Sequence, residues 1–191
     1  EHVHSEAEAT AATDTYVEIL ARINDEPLNS NMSVKLSLLG LDLGTEIAIA
    51  NLIRVLEAAE TPGAFVRIDM ESSAYVDQTL EIHEQLRRRF PAIGVVIQTY
   101  LRRSADDVEA LVRQGAAVRL VKGAYKEPSD IAFDDKADVD RNFERLVARM
   151  LEDDARANGV QLAVATHDRT LVEKAEATAT DRGIDEGLEF Q

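Results

Sequence analysis

Residues Ile93–Gly123 read IGVVIQTYLRRSADDVEALVRQGAAVRLVKG. Two apolar runs, Ile93–Leu101 and Ala116–Gly123, flank the segment Ser104–Gly115. That segment opens on a capping serine and closes on a glycine, as a helix does. Strand, helix and strand joined by short connections imply two parallel strands with a crossover helix. The same alternation extends in both directions. Upstream lie a helix over Glu6–Ile23, a stretch Ser33–Leu41 that begins as a strand and ends at Gly40, a helix from a capping Thr45 to Glu60, a strand over Gly63–Met70 and a helix over Tyr75–Phe90. Downstream lie one long helix over Asp138–Asn158, closed by Gly159, a strand over Gln161–Asp168, a helix over Arg169–Arg182 and a last strand over Leu188–Gln191. Pro27, Pro62, Pro91 and Pro128 all fall between elements. The predicted class is α/β with a parallel sheet, in one domain over residues 1–191. A doubly wound open sheet and a (β/α)8 TIM-barrel compete. The Gly-x-Gly-x-x-Gly pattern after a strand is absent, which weakens the dinucleotide-fold option.

Side chains alternate across a strand, so each strand can be split into two faces. Val34 and Leu36 oppose Lys35 and Ser37; Val66 and Ile68 oppose Arg67 and Asp69. Val95 and Ile97 oppose Gln98, Val118 and Leu120 oppose Arg119, and Leu188 and Phe190 oppose Glu189 and Gln191. One face is apolar and suited to packing on helices. The other carries a polar group late in the strand, where barrel enzymes keep their sites. Lys35, Asp69, Gln98, Arg119, Lys122 and His167 are the residues this pattern singles out. Lysine is costly to bury and occurs here only at Lys35, Lys122, Lys126, Lys136 and Lys174.

Composition sets further bounds. The chain has 191 residues, 45% of them hydrophobic, enough for a substantial core. No apolar run reaches the roughly 20 residues needed to span a bilayer as a helix, and the opening residues do not read as a secretory signal. There is no cysteine, which excludes disulfides and cysteine-ligated metals. A cytoplasmic protein is expected, with peripheral contact at the inner face of the cell membrane as an addition. The net charge of −15 argues against a nucleic-acid partner. Scarce lysine beside abundant Asp and Glu also resembles the halophile-like acidic surface of proteins from salt-loving hosts.

The residues leave the chemistry open. Lys122 at a strand end could form a Schiff base with a carbonyl substrate. Arg119 and Lys122 could instead meet the phosphates or the ring of an anionic cofactor, with Gln98 bonding a heterocycle. No metal site is expected. His167-Asp168 lacks a partner histidine at helical spacing, and His2 and His4 lie in a terminus. His83 sits on a helix among Glu81, Glu84 and Arg87 and is expected at the surface.

Six segments carry a resemblance. They are SVKLSLLGLDL (33–43), VRIDMESSAYVDQTL (66–80), VVIQTYLRRSADDVEAL (95–111), VRLVKGAYKEPSDIAF (118–133), VATHDRTLVEKA (164–175) and EFQ (189–191). Their order resembles that of the proline dehydrogenase family along the whole chain. The resemblance implies a distorted (β/α)8 barrel with FAD as cofactor. It implies oxidation of L-proline to 1-pyrroline-5-carboxylate, the first step of proline catabolism, with electrons passed to a quinone. It further implies that Arg119, Val121, Lys122, Gly123 and Ala124 line the flavin and that Gln98 contacts its ring. Ala165, Thr166, His167 and Asp168 flank the cofactor, with Gln191 nearby. By the same resemblance Lys35 binds the proline carboxylate, Asp69 sits beside Lys35, and Tyr125 packs on the proline ring. Glu1 matches a glutamate that gates the substrate site.

Compared with the family pattern, about strands 2 to 7 of the barrel are expected. The first and eighth strands, with paired substrate-binding arginines, have no counterpart. The isolated chain is therefore expected to be inactive and prone to associate through open sheet edges. Two other readings stay open: an aldolase-like barrel using Lys122, and a non-catalytic barrel fragment.

Overall fold

The structure is a computed structural model that describes residues 2–25 and 30–191. Glu1 lies outside the described residues. The elements are α1 (Glu6–Asp25), β1 (Asn31–Val34), α2 (Thr45–Glu60), β2 (Phe65–Ile68), α3 (Val76–Arg87), β3 (Ile93–Gln98) and α4 (Ser104–Gln114). They continue as β4 (Ala117–Val121), α5 (Lys136–Met150), α6 (Asp153–Ala157), β5 (Gln161–Val164), α7 (Arg169–Asp181) and β6 (Leu188–Phe190). No described helix is long and apolar enough to cross a membrane. The chain divides into two compact units, Glu1–Gly94 and Val95–Gln191.

In the first unit β1 and β2 are parallel, with Val34 opposite Ile68. Val66 N–H donates to the carbonyl of Ala92, just before β3. Met32, Val34, Val66 and Ile68 are buried, and α1 packs on α2; Ala9 and Leu20 of α1 and Ala48, Leu52 and Val55 of α2 are all 0% exposed. In the second unit β4 pairs with β5 and β5 with β6, both parallel. The backbone N–H groups of Thr99 and Tyr100, just after β3, donate to Val121 and Lys122. Helix α5 buries Val139, Asn142, Phe143, Leu146, Val147 and Met150, the spacing of one helical face. Asp135 caps it, its carboxylate accepting from Ala137 N–H at 2.6 Å. Gly115 ends α4 in the left-handed conformation, φ +64°, which side chains other than glycine's rarely adopt.

Several expectations from the sequence change. The stretch Ser33–Leu41 begins as a strand, as expected, but leaves it at Val34 rather than near Gly40, and a compact turn follows. Its buried residues, Leu36, Leu39 and Leu41, fill the core from turns closed by Leu39 N–H to Leu36 and Leu41 N–H to Leu36. A short apolar run does not distinguish the two forms. The long helix expected over Asp138–Asn158 is two helices. Leu151, fully buried, ends α5, and extended Glu152 starts α6. Arg149 holds the corner by pairing with Glu109, Glu152 and Asp154 at 2.6–3.2 Å. Thr45 and Ser104 are first helical residues, and neither side chain caps its helix. The Ser104 hydroxyl accepts from Asn142 Nδ2 instead, at 2.9 Å.

Two burial expectations also fail. His83 is 0% exposed, because it falls on the same face of α3 as the buried Thr79, Ile82 and Leu86. Charged sequence neighbours hid that. Phe190 was expected on the packed face of its strand and is 40% exposed; among the described residues β6 pairs only with β5.

Candidate active site

Each unit gathers charged groups just past the carboxyl ends of its strands. In the first unit, Lys35 follows β1 and Asp69 follows β2. The parallel register carries them to equivalent places, because Asp69 N–H donates to the Val34 carbonyl at 2.8 Å. Lys35 Nζ then donates to Asp69 Oδ2 at 3.1 Å. The lysine side chain is 39% exposed and the aspartate 22%, so the pair is anchored yet reachable. Tyr16 of α1 hydrogen-bonds the Lys35 backbone, and burial raises its phenol above the usual range. Glu71, 5% exposed, accepts from both the backbone N–H and the hydroxyl of Ser37. This bond holds the turn after Lys35 to the segment after Asp69. A second cluster joins His2, Asp42 and Tyr75: the Tyr75 hydroxyl donates to Asp42 at 2.7 Å and His2 Nδ1 lies 2.6 Å from the same carboxylate. Bonding to Asp42 pushes the Tyr75 phenol up to about 12.

The second unit brings together most of the remaining candidates. Arg119, half-buried in β4, donates from Nη1 to Gln191 Oε1 at 3.1 Å. Gln191 in turn donates to Glu189 at 2.6 Å. Lys122, one residue past β4, lies between two carboxylates, Asp140 at 2.6 Å and Asp168 at 2.8 Å. Lys136 closes the ring by reaching Asp140 at 2.5 Å and Asp168 at 3.1 Å. Bonds from Lys122 and Lys136 hold the Asp168 carboxyl well below the usual range. Burial opposes ionisation of Asp140, yet the same two lysines outweigh it and lower that carboxyl too. The arrangement suits a cation shared by carboxylates. It does not suit the uncharged amine that a Schiff base requires.

Other candidates lie around this ring. Gln98 ends β3 and is 3% exposed. Val121 ends β4. Gly123 has φ +114°, and a Cβ there would collide with the Tyr100 ring. Ala165 and Thr166 are half-buried after β5, while Ala124 and His167 are exposed. The Thr166 hydroxyl accepts from Asp168 N–H at 3.1 Å. Tyr125 is 41% exposed. Its loop is fastened to the one after β3: Leu101 bridges Ala132, and the Arg102 guanidinium donates to Ser129 and covers the Phe133 ring. Among the described residues no group of three or more His, Cys, Asp or Glu could hold a metal ion.

Four residues that sequence reasoning passed over take part: Tyr16, Glu71, Asp140 and Asn142. Asn142, 5% exposed, donates to the Thr99 carbonyl at 2.6 Å, tying α5 to the end of β3. The i,i+4 spacing of Lys136 and Asp140 was the one available signal. The other three depend on partners distant in the chain.

The donors around β3, β4 and β5 match what an anionic, heteroaromatic cofactor would need. They comprise an amide (Gln98), two cations (Arg119, Lys122) and a backbone stretch at Gly123 without a side chain. The Thr99 hydroxyl, buried, has no hydrogen-bond partner.

Comparison with known proteins agrees in one direction. Residues 1–191 match the family model described as proline dehydrogenase. The chain is 35% identical over 192 residues to Proline dehydrogenase 2 of Bacillus subtilis strain 168, covering 100% of this chain and 62% of that protein. It is 34% identical over 197 residues to Proline dehydrogenase of Deinococcus radiodurans, with 100% and 62% covered. Among solved structures it is similar to proline utilization A (PutA) from Bdellovibrio bacteriovorus inactivated by N-propargylglycine. That match has a TM-score of 0.87 at 27% identity and covers 100% of this chain and 24% of that one. The chain thus spans 62% of the length of these curated relatives. A match along all its residues makes this chain a member of the proline dehydrogenase family.

Proposed function

We propose that the chain is the greater part of a (β/α)8 barrel, about strands 2 to 7, that binds FAD and oxidises L-proline to 1-pyrroline-5-carboxylate. The observation that carries this reading is the Lys35–Asp69 pair, 3.1 Å apart just past two parallel strands, in a chain of this family. Lys35 binds the proline carboxylate by a charge-assisted hydrogen bond. Asp69 keeps the Lys35 ammonium oriented, so that the substrate is held in one pose. Tyr125, exposed on its loop, covers the proline ring. The cofactor-lining groups in this reading are Gln98 to the flavin ring, Arg119, Val121, Lys122, Gly123 and Ala124 along it, and Ala165, Thr166, His167, Asp168 and Gln191 flanking it. FAD, when bound, supplies the acceptor for the hydride that leaves the ring carbon beside nitrogen. A quinone is the electron acceptor in this reading, and a cytoplasmic enzyme meeting the inner membrane face would reach it. Glu1 gates the substrate site in this reading.

The test is a visible spectrum. The protein carrying this chain, supplied with FAD and freed of excess, is expected to show flavin bands that L-proline bleaches without air. Absence of the bands would sink the reading. Borohydride trapping of a carbonyl substrate on Lys122 would put the Schiff-base enzyme in its place.

A further inference from the structure

The ring around Lys122 contains two residues that the proposed cofactor contacts leave unused, Asp140 and Lys136. Both sit on the first turns of α5, four residues apart, where their side chains meet on one face. Asp140 places one carboxylate oxygen 2.6 Å from Lys122 Nζ and the other 2.5 Å from Lys136 Nζ. Asp168, at the start of α7, receives the same two lysines at 2.8 and 3.1 Å. Lys122, Asp140 and Asp168 have side chains only 20–23% exposed, so water screens them little, whereas Lys136 is 71% exposed. Lys122 is thus held from two sides, by α5 and by α7. With only Asp168 it could swing on its four-carbon stem.

We propose that Asp140 is a positioning residue for the cofactor: it fixes the Lys122 ammonium against Asp168, and Lys136 locks the two carboxylates from outside. This inference rests on the flavin reading above. The backbone is arranged to the same end. Asn142, half a turn beyond Asp140, bonds the Thr99 carbonyl, and Tyr100 N–H bonds the Lys122 carbonyl at 2.8 Å. Both ends of the Lys122 residue, backbone and ammonium, are therefore set by the same small group of elements.

A double-mutant cycle tests this, read as the FAD dissociation constant by fluorescence titration of the apoprotein. Asp140→Asn is expected to weaken FAD binding about tenfold, within the coupling range of one close ion pair. Asp140→Glu should recover all but about threefold of it. In a Lys122→Met background Asp140→Asn should change FAD binding less than about twofold, because its effect passes through Lys122. Equal losses in both backgrounds would overturn the inference, as would tighter binding by Asp140→Asn, which would mark Asp140 as a mere repulsive charge. Should Asp140→Asn not fold, Lys136→Met carries the same cycle, with about a threefold loss that vanishes without Lys122. A wild-type protein that takes up no FAD would overturn the proposed function and this inference together; wild-type uptake with uncoupled losses overturns the inference alone.

Discussion

Lys35 and Lys122 each stand one residue past a parallel strand, yet their surroundings differ. Lys35 meets Asp69 at 3.1 Å and is 39% exposed. Lys122 meets two carboxylates at 2.6 and 2.8 Å and is 23% exposed. Lys122 and Lys136 together balance Asp140 and Asp168, so Lys122 serves as a fixed part of a neutral wall. A cation more open to solvent can still receive an anionic ligand. The same residue type therefore suits two tasks, and exposure separates them. His83 extends the series to full burial, at 0% exposed. Burial, helped by Arg87, pushes its ring down to about 4.

Removing Lys35 should have the largest effect. Lys35→Ala is expected to raise KM for L-proline about 10- to 100-fold, the range of a lost charge-assisted bond, while FAD affinity holds within about twofold. Loss of FAD with KM unchanged would reverse the roles assigned to the two lysines. Steady-state kinetics beside a flavin titration separates these outcomes.

His83 comes next. Its folded-state pKa lies below the unfolded value, so the unfolded chain binds the proton first. Stability is unaffected above about pH 6.5, falls between there and about pH 4, and levels off below. Urea unfolding should lose about 2 kcal/mol between pH 7 and pH 5 from this group. His83→Leu should flatten that slope; an unchanged slope would mean that the ring is not held neutral.

Asp140 and Asp168 give a smaller effect in a different window. Both carboxyls are lowered, so their contribution is present above the unfolded value near pH 4 and is lost as pH falls through the folded values. Lys122→Met should make acid unfolding shallower between about pH 4 and pH 2, since the carboxyls then shift less. The smallest change in stability belongs to Tyr125→Ala, which removes a side chain 41% exposed. Its unfolding free energy in urea should change by less than about 0.5 kcal/mol, while proline KM rises and FAD stays bound. A colourless Tyr125→Ala protein would place that residue against the cofactor instead.

Much of this arrangement could be read in the sequence. The periodicity that names α1, α2 and α7 survives within two residues at each end, because apolar stripes decide helix faces. Lys35 and Asp69 were legible as polar positions late in strands, and the register of β1 and β2 brings them together. The break between α5 and α6 was not legible. No Gly or Pro marks it, and Arg149 holds it by pairing with Glu152 and Asp154 at the corner and with the distant Glu109. His83 was hidden by charged neighbours that point off the other faces of α3. Asp140 looked like one more surface acid, because its second partner, Lys122, is eighteen residues away across a loop.

The most direct measurement is the anaerobic spectrum of the protein carrying this chain, reconstituted with FAD, before and after L-proline. Flavin bands that bleach with L-proline, at lower proline concentration in wild type than in Lys35→Ala, are the predicted result. A protein that holds no flavin, or holds one that L-proline leaves unbleached, would contradict the account.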